Sequence, residues 1–168
     1  MTDPLILTAE FDAVAQHHFQ AMRDAHFPPA RNIVPAHTSL FHQLPGDDIL
    51  NVRDAVADAL DGHDGPFAAR CTGLRFFGGG GAYVIECAEL VAARATVAAR
   101  FDGRLIPQDA QPYKPHVTYQ NKVPGDRAKS VFALMERDFA PFDCTVTKLN
   151  LWWYRGGPWE LEEAFLLA

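Results

Sequence analysis

Apolar residues recur along this chain with two periods, and each period predicts a different element. Leu5 to Phe11 is rich in β-forming residues and reads as a strand. Asp12 then caps a helix that runs to His26 and is stopped by Pro28-Pro29, with Val14, Phe19 and Met22 at its inward positions. His17 and His18 lie on this helix without a partner at helical spacing and read as solvated. A second strand is predicted over about Val34 to Gln43. Pro45-Gly46-Asp47-Asp48 ends it and caps a helix from Ile49 to Leu60. Strand signals resume at Phe67 and run to Phe77. Gly78-Gly79-Gly80-Gly81 follows, and then a further strand, Ala82 to Glu86. A phosphate cradle needs a helix after its glycines, so this run reads as a hairpin turn. An Ala-rich helix is predicted from Cys87 to Phe101, with Leu90, Val91 and Val97 inward and Asp102-Gly103 ending it. A Pro-rich loop, Pro107 to Pro115, leads into a strand over His116 to Lys122. Pro124-Gly125-Asp126 opens the last helix, which ends near Phe139-Ala140-Pro141. A hairpin closes the chain, Cys144 to Tyr154 and Trp159 to Leu167 about a Gly156-Gly157-Pro158 turn.

This order contains a repeat. Nine residues separate His37 from Gly46, and nine separate His116 from Gly125; both glycines sit in a Pro-Gly-Asp that starts a helix. A glycine turn follows 41 residues after His37, at Gly78, and 40 after His116, at Gly156. A strand-helix-His strand-helix-strand unit is thus written twice, over about residues 4–80 and 81–168. The 168 residues are expected to form one bilobal domain, with the two units related by a pseudo-two-fold axis.

The repeat brings candidate chemistry with it. Residues at i and i+2 of a strand share a face, so His37 pairs with Ser39 and His116 with Thr118. Two imidazoles across a cleft suit an acid and base pair near neutral pH. The two hydroxyls can donate to the oxygens of a bound phosphate, including those of an in-line transition state. No acidic cluster lies near either motif, so no metal is expected. The net charge of −6 argues against a general nucleic-acid coat, and DNA is not an expected partner. Cys71, Cys87 and Cys144 lack metal-ligand spacing and read as the reduced thiols of a cytoplasmic protein. There is no signal-peptide pattern and no apolar run of membrane-spanning length.

Paired H-x-[ST] motifs on strands of a duplicated strand-helix chain resemble the 2H phosphoesterase superfamily, which includes the 2′-5′ RNA ligase-like proteins and the RNA cyclic phosphodiesterases. The likeness runs from Leu5 to Leu167. It implies an α+β fold of two pseudo-symmetric lobes, each an antiparallel sheet with outer helices, flanking a central cleft. It makes His37, Ser39, His116 and Thr118 the catalytic set. It further implies opening of 2′,3′-cyclic phosphates, or cleavage or joining of 2′-5′ bonds, without a cofactor. The partner is then a small nucleotide or an RNA terminus, met by a monomer. Ser39 stands where Thr is commoner, and Lys122 stands near the place where bacterial members often carry Arg. Around the motifs, Lys114, Lys122, Arg75 and Arg155 are candidate phosphate contacts, and Tyr119, Phe41 and Tyr154 candidate base-stacking residues. His42, an odd number of positions from His37, reads as structural. Two other classes stay open: a noncatalytic RNA-end or nucleotide-binding module, separated by turnover, and a histidine-based metallohydrolase, separated by a chelator.

Overall fold

The computed structural model describes residues 2–167. Seven strands and four α-helices follow one another as β1 (Leu5–Phe11), α1 (Ala13–His26), β2 (Thr38–Leu44), α2 (Ile49–Leu60), β3 (Phe67–Phe76), β4 (Gly81–Glu86), α3 (Ala88–Arg100), β5 (His116–Gln120), α4 (Gly125–Asp138), β6 (Phe142–Trp153) and β7 (Glu160–Leu166). All strand pairs are antiparallel. The order β2-β1-β6-β3-β4-β5 makes one continuous sheet that runs through both halves of the chain. β6 is long enough to pair with β3 through its first half and with β7 through its second, while β1 lines its other edge.

The sheet curls into a nearly closed barrel. Its end strands, β2 and β5, meet at a seam, where the His116 backbone N–H donates to Thr38 Oγ1 at 3.3 Å. Thr38 Oγ1 also shares a hydrogen bond of 2.9 Å with the Tyr113 hydroxyl. Each histidine motif lies on one of these two strands, so the seam sets the distance between them.

The helices form as the apolar spacing predicts, with two shifts of face. Val14 is 82% exposed and Val91 also faces solvent, while Ala15, Phe19, Leu90, Ala93 and Val97 carry the buried stripes. Asp12 caps α1 by accepting from the Ala15 N–H at 3.0 Å, and its other oxygen accepts from the Thr145 N–H at 2.8 Å. One side chain thereby caps the helix and ties it to β6. α2 packs on α3, and α1 lies against β5. The four-glycine run is the β3–β4 turn, with Gly78 at φ +88°. A Cβ on Gly80 would lie 1.8 Å from the Gln120 carbonyl oxygen, so the turn can approach the end of β5 only without a side chain there.

Candidate active site

His37 immediately precedes β2, and His116 opens β5. Both rings are held in the same way, each by the backbone carbonyl two residues before it. His37 Nδ1 lies 2.6 Å from the Pro35 carbonyl oxygen, and His116 Nδ1 lies 2.9 Å from that of Lys114. A carbonyl only accepts, so in each ring Nδ1 carries the proton and donates it. Nε2 is left with its lone pair, and both rings line one cavity of about 290 Å³. Ser39 and Thr118 line the same cavity, together with Arg23, His42, Phe77, Gln108 and Asn121. Val117, between His116 and Thr118, is buried on the opposite face, as strand alternation requires.

Burial disfavours the charged form of both imidazoles. Burial pushes the His37 pKa down to about 4, against a weaker opposing pull from the Pro35 carbonyl; Arg23, His42 and His116 push it down further. Burial lowers His116 as well, with Arg75 and His42 adding to the effect and the Lys114 carbonyl working against it. An anion between the rings would oppose the effect of burial and draw a proton onto one of them.

Two further cavities open from this one. On the His37 side, a cavity of about 520 Å³ shares Arg23, Thr118 and Asn121 and adds Arg31, Lys122, Tyr154 and Trp159. On the His116 side, one of about 380 Å³ shares Ser39, His42 and Gln108 and adds Arg75, Arg94, Gln111 and Lys114. Six Arg and Lys residues therefore line the three cavities. Among the described residues, the only acidic side chain lining them is Asp109, which is 1% exposed and fully engaged in hydrogen bonds. A chain of net charge −6 thus concentrates a basic lining around one cleft.

The predicted site residues divide accordingly. His37, Ser39, His116 and Thr118 come together; Lys114 and Lys122 border the flanking cavities, with Lys122 in the left-handed region at φ 60°. Tyr119 and Phe41 do not reach the cleft. Tyr119 is 1% exposed and packs edge-on to Tyr83, and Phe41 is wholly buried beneath the Arg94 guanidinium. Arg155 is also excluded as a cleft residue: it pairs with Asp3 at 2.9 Å and Glu160 at 2.7 Å and lies over Trp153.

Arg23, Trp159 and His42 are among the cleft residues that the sequence reading did not place there. Arg23 sits on a helix, where nothing in the spacing marks a buried cation; its Nε donates to Asn32 Oδ1 at 2.8 Å. Trp159 lies edge-on to His37, 5.4 Å between ring centres, and comes from the closing hairpin turn. His42 was expected on the far face of β2. Irregular pairing with β1 shifts the alternation, so that Leu40 and Phe41 are both buried and His42 returns to the cleft beside Ser39.

The model of the 2′-5′ RNA ligase superfamily matches residues 11–158. The chain belongs to this superfamily. Among solved structures, the TT0787 protein of Thermus thermophilus matches with TM-score 0.69 and 19% identity, over 98% of this chain and 97% of that one. E. coli LigT in complex with NADP+ matches with TM-score 0.61 and 13% identity, over 99% of each chain. A structure described as a phosphoesterase matches with TM-score 0.60 and 14% identity, over 100% of this chain and 99% of that one. At such identities these neighbours attest the fold. No curated protein sequence matches the chain.

Among the described residues, no helix is long and apolar enough to cross a membrane, and no group of three or more His, Cys, Asp or Glu side chains could hold a metal ion. Cys71, Cys87 and Cys144 are buried free thiols.

Proposed function

We propose that this superfamily member is a phosphoesterase that opens 2′,3′-cyclic phosphates of nucleotides or RNA ends, or cleaves or joins 2′-5′ phosphodiester bonds, with protein side chains alone. The observation that carries the reading is the matched pair of imidazoles. Each has Nδ1–H committed to a backbone carbonyl and Nε2 free, and both line one cavity with two hydroxyls beside them. Solved complexes of E. coli LigT with ATP, 3′-AMP and phosphate give a phosphate-bearing ligand precedent on the same fold.

The reaction follows from these positions. The cyclic phosphate binds as a monoanion, with Ser39, Thr118 and Arg23 available to its non-bridging oxygens. Its charge favours one imidazolium and leaves the other imidazole neutral. The neutral Nε2 removes a proton from water as the water oxygen bonds to phosphorus. The P–O3′ bond breaks, and the imidazolium gives its Nε2 proton to O3′, leaving a 2′-phosphate. The acid and base have then exchanged protonation states and are reset by solvent. With the 5′-hydroxyl of a second nucleoside in place of water, the same two groups would join two ends through a 2′-5′ bond, O3′ again leaving with the acid's proton.

The test is a panel of 2′,3′-cyclic nucleotides, cyclic-phosphate oligonucleotides and 2′-5′ dinucleotides, incubated with the protein in EDTA, with products separated by chromatography. A 2′-phosphate from the cyclic substrates, at a rate unaffected by EDTA, is expected. Binding without turnover across the panel would leave a noncatalytic nucleotide-binding module, and loss of turnover in EDTA would leave a metallohydrolase.

A further inference from the structure

His42 stands apart from the two motif histidines in how it is held. Its Nδ1 lies 2.9 Å from Asp109 Oδ1, and its own backbone N–H and that of Gln43 donate to the same carboxylate at 2.9 and 2.8 Å. Asp109 is buried. Burial works to raise its pKa, but the His42 ring and the two backbone N–H groups outweigh this and hold the carboxyl below its usual range. The loop that carries Asp109 is itself fixed, because Arg94 donates to the Asp109 carbonyl and, at 3.1 Å, to that of Leu40. A carboxylate only accepts, so Nδ1 carries the proton and donates it to Asp109, which fixes the orientation of the ring and leaves its other edge free. The ring itself remains 43% exposed. It borders both the catalytic cavity and the cavity on the His116 side, where Lys114 and Arg75 stand.

We infer that His42, oriented by Asp109, forms with Lys114 and Arg75 a subsite for a second phosphate of the substrate, beside the one that reacts. This rests on the phosphoesterase reading and narrows it: the preferred substrate carries a 2′,3′-cyclic phosphate and a phosphate on the 5′-oxygen of the same nucleoside. Two sources share that chemistry, the free 5′-phosphate of a mononucleotide and the internucleotide phosphate of an RNA end. The neutral donors Gln108 and Gln111 line the same cavity and suit either. A purely structural His42–Asp109 clip would explain the ties to the loop. It leaves unexplained why the free side of the ring faces a cavity lined by cations.

Titration calorimetry at fixed ionic strength tests this independently of turnover. The ligands are adenosine 2′-monophosphate, adenosine 2′,5′-bisphosphate and a dinucleotide ending in a 2′-phosphate. The bisphosphate, the dinucleotide or both should bind about tenfold or more tightly than the monophosphate, as expected of one hydrogen bond to a charged group. Which of the two gains the advantage identifies the source of the phosphate. Within each of His42→Ala and Lys114→Ala, the ratio of bisphosphate or dinucleotide affinity to monophosphate affinity should fall most of the way to one. No advantage in the unmodified protein, or one that survives both substitutions, would overturn the subsite. Equal weakening of all ligands together with a lower Tm in His42→Ala would reduce the dyad to a structural clip and overturn it too. Turnover of adenosine 2′,3′-cyclic phosphate, with and without a 5′-phosphate, separates the two proposals. No opening of either, with no turnover across the wider panel, removes the phosphoesterase reading, and equal opening of both removes only the subsite.

Discussion

At the scale of single residues, the proposed mechanism makes the motif histidines the source of both rate and pH behaviour. General acid and base catalysis each contribute typically about 10²–10⁴-fold. His37→Ala and His116→Ala are each expected to lose at least that range in kcat with circular dichroism unchanged, and the double variant less than the product of the two. Steady-state kinetics on a turned-over substrate checks this, and full activity in either single variant would remove the acid–base pair. Because burial lowers both pKa values, the free protein has both rings neutral at pH 7. Turnover needs one ring protonated, so kcat/KM should peak below pH 6.5 and decline above it. The bound anion raises the pair, so the kcat profile should lie at higher pH; the two limbs belong to the pair jointly. Stability carries the same sign. The folded-state pKa of His37, about 4, is below its unfolded value of about 6.5. The unfolded chain therefore binds more protons between these values, and stability is lost as pH falls from 6.5 towards 4. Melting curves of His37→Ala should show a shallower decline across that window than the unmodified protein.

At the scale of elements, Asp12 and Gly80 bear loads that the spacing of apolar residues does not reveal. Asp12→Ala removes a helix cap and strands the Thr145 N–H; caps are worth about 0.5–2 kcal/mol, and denaturant unfolding should show a loss at or above the upper part of that range. Gly80→Ala would press a methyl group onto the Gln120 carbonyl. It should lower the Tm and, because β5 begins at His116, also reduce kcat. The elements themselves were legible in the sequence, since each combines a clear period with a Pro, Gly or Asp stop. The paired motifs were legible because the repeat doubled a weak signal. What the sequence hid were effects of pairing and burial. A β2 irregularity moved His42 to the cleft and Phe41 to the core. Tyr119 follows Thr118 and so had to point inward. Arg155 found two carboxylates before it could reach a ligand. Arg23 belongs to a helix whose period marks it only as a polar position near the buried stripe, and no local rule distinguishes a solvated arginine from one folded under a loop.

At the scale of the whole molecule, the sheet order matters because it is palindromic in the repeat. Reading β2-β1-β6-β3-β4-β5 from either end meets the second, first and third strands of the two halves in corresponding places. The His-bearing strands consequently fall at the two ends of the path, and curling the sheet brings them together at the seam. Charge is partitioned on the same scale. A net −6 surrounds a cleft lined by Arg23, Arg31, Arg75, Arg94, Lys114 and Lys122. A basic cleft in an acidic body should attract a short anionic end and repel a long polyanion that must lie along its outer surface. Affinity for cyclic-phosphate oligonucleotides should therefore rise from one to two or three nucleotides and then level off. Its dependence on salt should correspond to the few phosphates inside the cleft, because each neutralised phosphate adds a slope of only about 0.7 for a single strand. Fluorescence anisotropy against length and salt measures both quantities. A salt slope that kept growing with length, or tight binding of blunt duplex DNA, would mean that the acidic exterior does not govern partner choice.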